Sequence, residues 1–180
     1  MLSLHASPPC DPRYSDVGHD TIRVSGGALS QLLKRAEYGA VQFQRGGPID
    51  GRMHIFGRST ACPTFMVQMV GDPRNIHTLS VTVVFGRKAY NVAAVKLMAS
   101  VLAWVECGGR DPDGLADPAN EGKGQPVVDW LDEVIRGLEW SQEKSAERSF
   151  GERVYRVEFV HVESGIGSMT VSVSPLVGSN

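Results

Sequence analysis

Near its C-terminus the sequence reads RVYRVEFVHVE over residues 153–163, SGIG over 164–167 and SMTVSVS over 168–174. In the last segment apolar residues alternate with serine and threonine, the pattern of a strand with one buried and one solvated face. The glycine-containing segment between them is typical of a tight turn. Together they predict an antiparallel β-hairpin whose sheet has one face in contact with water. The apolar positions of the first segment change parity after Phe159, which predicts a β-bulge there.

Helical patterns come before this hairpin, two long ones at 88–106 and 126–147 and a shorter one at 27–38. Between residues 41 and 85, four short segments of alternating apolar and polar residues predict neighbouring antiparallel strands. Helices with one apolar stripe need a sheet to cover. The sequence therefore predicts an α+β fold, with a single antiparallel sheet of five to seven strands and two or three helices on one face.

The domain organisation is predicted to be simple. A chain of 180 residues can form one hydrophobic core that buries about two-thirds of its unfolded surface. Residues 1–20 are rich in Pro, Ser, Asp and His, and they predict an irregular N-terminal arm. Residues 21–180 are predicted to form a single α+β domain, because no internal repeat or change of composition divides them.

The bulk composition argues against several classes of function. The net charge is −2, from 18 basic and 20 acidic side chains, and no basic stripe of the kind that binds nucleic acid is present. The 3 cysteines are far apart, which predicts reduced thiols in a cytoplasmic protein. The apolar run at 89–105 carries Lys96 near its middle, which predicts a core helix and no membrane span. No motif for a metal or a cofactor occurs, so none is expected.

Two histidine-containing segments are the sharpest candidates for catalysis. The segments His77-Thr-Leu-Ser80 and His161-Val-Glu-Ser164 loosely resemble the motifs of the two-histidine phosphoesterases. That family uses His-x-Ser/Thr, a spacing that places both polar side chains on one face of a strand. The spacing here is His-x-x-Ser, so a regular strand would point each serine away from its histidine. A phosphodiester hydrolase that uses His77 and His161 is therefore the alternative to a binding function.

The loop at 107–125 is the longest stretch without periodicity, and it is predicted to be either a solvated connector or a contact surface. It is net acidic, which suits a basic partner surface because opposite charges steer encounter. Trp140, near the polar end of the last predicted helix, is an additional candidate for a surface contact. The predicted binding residues are Arg110, Asp111, Asp113, Asp117, Glu121 and Trp140.

The C-terminal third also carries a resemblance. Trp130, the segment Gly137-Leu-Glu-Trp140, Glu143-Lys144 and Ser149 precede a strand, a glycine turn and MTVSVS. This order resembles small uncharacterised bacterial proteins of the immunity or inhibitor type, in which a Trp-rich helix is followed by a β-hairpin. The resemblance implies a protein partner and no catalytic residues.

The favoured hypothesis is a non-enzymatic protein-binding module, acting as an inhibitor, immunity or assembly factor of bacterial or phage origin. Besides the hydrolase, a viral structural subunit stays open. A large self-complementary interface would distinguish that class. The sequence leaves the oligomeric state open.

Overall fold

The structure is a computed structural model, and it describes residues 21–35, 41–59, 65–85, 88–109, 116–138, 143–163 and 166–177. Within these ranges the chain forms three α-helices, seven strands and one short 3₁₀ turn at Pro118–Asn120. The helices are α1 Gly26–Arg35, α2 Lys88–Glu106 and α3 Gln125–Arg136. The strands are β1 Val41–Arg45, β2 His54–Ser59, β3 Phe65–Asp72, β4 Asn75–Phe85, β5 Lys144–Phe150, β6 Arg153–Glu163 and β7 Ile166–Pro175.

The seven strands form one antiparallel sheet in the order β1-β2-β3-β4-β7-β6-β5. Two meanders, β1 to β4 and β5 to β7, meet where β4 pairs with β7, and α2 and α3 lie between them in the chain. This arrangement confirms the predicted α+β fold with a single antiparallel sheet. It also confirms a long helix at 88–106 and a C-terminal hairpin.

The hydrophobic core lies on one face of the sheet. Alternate residues of β3, β4, β6 and β7 are buried there, as the strand period of two requires. The buried residues of all three helices belong to the same core cluster, including Leu33 of α1, Leu97 of α2 and Leu131 of α3. The helices therefore cover this face together, and within the described ranges the opposite face contributes no residue to the core.

Two glycines allow the helices to pack closely. Gly109, just beyond α2, has a φ of 57°, and a Cβ there would lie 2.5 Å from a methyl group of Val24. Gly124 precedes α3, and a Cβ at that position would lie 2.7 Å from the Cα of Ala103. Because glycine has no Cβ, α3 can begin directly against the backbone of α2.

The predicted helix at 126–147 is wrong in its second half. The helix ends at Arg136, where Gly137 caps it, and Lys144–Phe150 forms the edge strand β5. Ala146 and Phe150 pack against the core, while the polar residues between them suit an exposed strand. Tertiary pairing with β6 therefore overrides the helical propensity of this segment.

Other predicted boundaries also shift. The register of β6 changes between His161 and Glu163, so the bulge lies beyond the predicted position at Phe159. Before α1, Val24 forms an isolated antiparallel bridge with Ile76. The N-terminal arm at 1–20 lies outside the described residues. In the part of the chain that the structure describes, every helix is too short or too polar to cross a bilayer.

Candidate functional site

The second face of the sheet, here called the open face, has no helix of the described ranges packed on it. Strand register aligns its side chains in two complete rows across all seven strands. The first row is Gln44, Phe56, Gln68, Ser80, Ser172, Arg156 and Glu147. The second row is Gln42, Arg58, Met66, Thr82, Thr170, Glu158 and Ser145. A face built this way presents hydroxyl and amide groups over most of its width.

The centre of the open face is flat because its side chains are short. Thr82 of β4 and Thr170 of β7 lie opposite each other, with 2.9 Å between their hydroxyl oxygens. Ser80 and Ser172 form the neighbouring pair. These side chains are half-buried among themselves, so a partner can approach the backbone closely across the central strands.

One end of the open face, where strands β4, β7 and β6 stop, is apolar, and this patch is here called the apolar corner. Val84 and Val160 both pair with Ser168, from opposite sides, and Ile166 precedes Ser168 by two residues on the same strand. The exposed fractions of these three side chains are 49% for Val84, 43% for Val160 and 45% for Ile166. Contiguous exposed apolar side chains with a polar surround mark interaction sites. A partner that covered this corner would therefore remove the most apolar part of the open face from water.

Charged side chains of the open face lie on both sides of its central strands, β4 and β7. On the β5–β6 side, Arg156 Nη2 lies 2.6 Å from Glu147 Oε2, and Arg156 Nη1 lies 3.9 Å from Glu158 Oε1. On the other side, Arg58 of β2 is exposed. The face is thus cationic on one side and carries two carboxylates around one guanidinium on the other.

The comparisons with known proteins give no relative. No protein-family model, no curated protein and no solved structure matches this chain. The resemblance of the C-terminal third to immunity and inhibitor proteins therefore stays a prediction.

The structure does not bring His77 and His161 together. His161 pairs with Gly167, which in turn pairs with Phe85, so His161 is level with the end of β4. His77 lies eight residues earlier on that strand, which corresponds to about 27 Å along the sheet. Its Nδ1 lies 2.8 Å from the hydroxyl of Thr78. At this separation the two imidazoles cannot share a cleft.

The predicted acidic contact surface is described in part. Asp117 and Glu121 are exposed on either side of the 3₁₀ turn, and the Asp117 carboxylate accepts a 2.9 Å hydrogen bond from the amide of Ala119. Arg110, Asp111, Asp113 and Trp140 lie outside the described residues. The structure therefore places two of the six predicted contact residues together, and their role in binding stays a prediction. Among the described residues, no group of three or more His, Cys, Asp or Glu side chains could hold a metal ion.

A polar network that the sequence did not reveal lies under the helical layer. Glu106, at the end of α2, accepts hydrogen bonds from the hydroxyl of Tyr155 and from Arg153 Nη1, the latter at 3.1 Å. The Arg153 guanidinium also donates two 3.2 Å bonds to the carbonyl of Ile22. The network ties the segment before α1, the end of α2 and the start of β6 together. Its one signal in the sequence is that Arg153 and Tyr155 share the parity of the core-facing residues of β6.

This network predicts that the protein loses stability at alkaline pH. Burial, and then the hydrogen bond to Glu106, raise the pKa of Tyr155 in the folded protein. The unfolded chain keeps a tyrosine pKa of about 10, so above that pH only the unfolded state releases this proton and the fold is destabilised. Urea unfolding from about pH 8 to about pH 12 should show the stability of the parent falling faster than that of Tyr155→Phe. Parallel pH profiles of the two proteins would contradict this.

Proposed function

We propose that this protein is a non-enzymatic protein-binding module of the inhibitor, immunity or assembly type, and that the open face is its contact surface. The observation that supports this proposal most strongly is a complete sheet face with no described helix on it and an exposed apolar corner. Asp117 and Glu121 are a candidate second contact, to a basic part of the partner.

The size of the open face suits a protein partner. Seven strands about 4.8 Å apart span about 30 Å, and three to four rows of side chains extend about 20–27 Å along the strands. The resulting area, roughly 700 Å², is close to the about 800 Å² that each partner contributes to a standard protein–protein interface. A small molecule would leave most of this flat surface uncovered.

The chemistry of the open face also favours protein over nucleic acid. Its charges are balanced, because Glu147 and Glu158 offset Arg156 and Arg58. Single-stranded nucleic acid is bound by basic grooves with stacked aromatic side chains, and Phe56 is the one aromatic residue in the two rows. Hydroxyl and amide groups around an apolar corner are instead the composition of an ordinary protein interface.

The test is a substitution at the centre of the face. Thr170→Arg places a long side chain between β4 and β6, beside Glu158 in the same row, where its bulk would hold a partner away from the flat centre of the face. We expect it to weaken capture of a specific partner from the native host by about tenfold or more, as measured by quantitative mass spectrometry on immobilised protein.

The matched control is Gln31→Arg. Gln31 is an exposed residue of α1 on the other side of the molecule, and this substitution makes the same change of charge. We expect the control to bind like the parent and both variants to keep the urea midpoint of the parent. If Thr170→Arg captured the partner as well as the control does, the open face would not be the contact surface.

A further inference from the structure

We propose that the protein that covers the open face is a second copy of this chain, stacked face to face about a two-fold axis parallel to β4. The inference rests on the proposed function, since it names the partner of that same surface. It would make the module a homodimer.

The strand order provides the symmetry. β4 is the middle of seven strands, with β1, β2 and β3 on one side and β7, β6 and β5 on the other. An axis parallel to β4 and midway between two sheets places β2 of one copy over β6 of the other, with the register rows in line. Under this rotation the second sheet keeps the twist of the first and lies parallel to it. The two copies can therefore pack face to face in the aligned way of a β-sandwich.

Charge complementarity follows from the second row of side chains. Arg58 and Glu158 belong to that row and lie two strands from β4 on opposite sides. The two-fold axis therefore sets Arg58 of each copy against Glu158 of the other, which makes two ion pairs across the interface. Both side chains are exposed in the single chain, and Glu158 Oε1 lies 3.9 Å from Arg156 Nη1.

The rest of the face is compatible with the same arrangement. In the first row the axis sets Phe56 against Arg156 of the second copy, a cation–π arrangement. Residues of β4 lie on the axis, so the short side chains Ser80 and Thr82 meet their own copies and allow the sheets to approach to about 10 Å. Val84 meets Val84 of the second copy, which covers part of the apolar corner.

The area is sufficient for a stable dimer. Roughly 700 Å² on each copy gives about 1,400 Å² in total, which lies within the range of specific interfaces. The ion pairs lie toward the sides of this area and not at its centre, so they contribute mainly register and choice of partner. The small polar and apolar side chains of the central strands contribute the close packing.

The test is the mass of the full chain in solution, from light scattering coupled to size-exclusion chromatography at about 1 µM to about 100 µM. The parent is expected at twice the chain mass of 19.5 kDa. Arg58→Glu places like charges against each other and should raise the dissociation constant about tenfold or more. The double variant Arg58→Glu, Glu158→Arg restores the pairs with the charges exchanged and should return to within about threefold of the parent.

Arg136→Glu is the matched control, because Arg136 is an exposed residue of α3 on the helical side and the change of charge is the same. It should dimerise like the parent. A parent that stays monomeric at the highest concentration overturns the inference. So does a dimer that Arg58→Glu leaves intact, or one that the double variant fails to restore.

These outcomes are separate from the test of the proposed function. If the parent is a monomer and Thr170→Arg loses a partner from the host, the open face is a contact surface for a different protein. In that case only the inference that the partner is a second copy fails. A monomer whose binding is unaffected by Thr170→Arg contradicts both proposals.

Discussion

Leu97→Ala is expected to lower the free energy of unfolding by about 2–5 kcal/mol. Leu97 is fully buried on α2, in the single core cluster that joins the three helices to the sheet. Removing three carbon atoms there loses transfer free energy and leaves a cavity that the surrounding core residues can fill only in part. The measurement is urea unfolding followed by circular dichroism.

Lys96→Ala is the matched control for this truncation, because Lys96 is the neighbouring residue on the same helix and is exposed. The control should change the free energy of unfolding by no more than about 0.5 kcal/mol. If Leu97→Ala were as stable as the control, α2 would be a peripheral helix. In that case Leu97 would not belong to the hydrophobic core.

The second large effect is expected for Glu106→Ala, at about 2–4 kcal/mol of unfolding free energy. This variant leaves the largely buried guanidinium of Arg153 without its carboxylate, and it removes the acceptor of the Tyr155 hydroxyl. Breaking one side of such a network is costly, because the remaining polar groups stay desolvated. Urea unfolding again provides the measurement.

A double-mutant cycle shows whether the network is the cause. Tyr155→Phe removes the hydroxyl that Glu106 accepts from, so in its presence Glu106→Ala should cost less than it does alone. Glu133→Ala, at an exposed position of α3, is the control and should be nearly neutral. Additive effects of the Glu106 and Tyr155 substitutions would show that their hydrogen bond contributes nothing.

The open face illustrates how far the sequence alone predicts a site. The hydroxyl-bearing residues of 168–174 alternate with buried ones, so a solvated sheet face was predictable from that segment alone. The placement of Arg58 and Glu158 in one row, two strands from β4 on either side, was not predictable, because it depends on the register of four strand pairs and on β4 being the middle strand. Local periodicity contains no information on either.

The errors have equally local causes. The segment at 144–150 has a helical composition, and only its pairing with β6 makes it a strand. Glu106 and Tyr155 are 49 residues apart in the chain, so no motif search would pair them. In the acidic loop, the exposure of Asp117 and Glu121 could be predicted from turn chemistry, whereas a partner for them could not.

The most direct measurement of the central claim is photo-crosslinking from the open face in the native host. A benzophenone amino acid placed at Thr170 is expected to give a covalent adduct of higher mass on irradiation, because this residue lies at the centre of the covered surface. The same amino acid at Gln31, on the exposed side of α1, is expected to give none. A result in which the Thr170 position gives no adduct, or no more than the Gln31 position, would contradict the account.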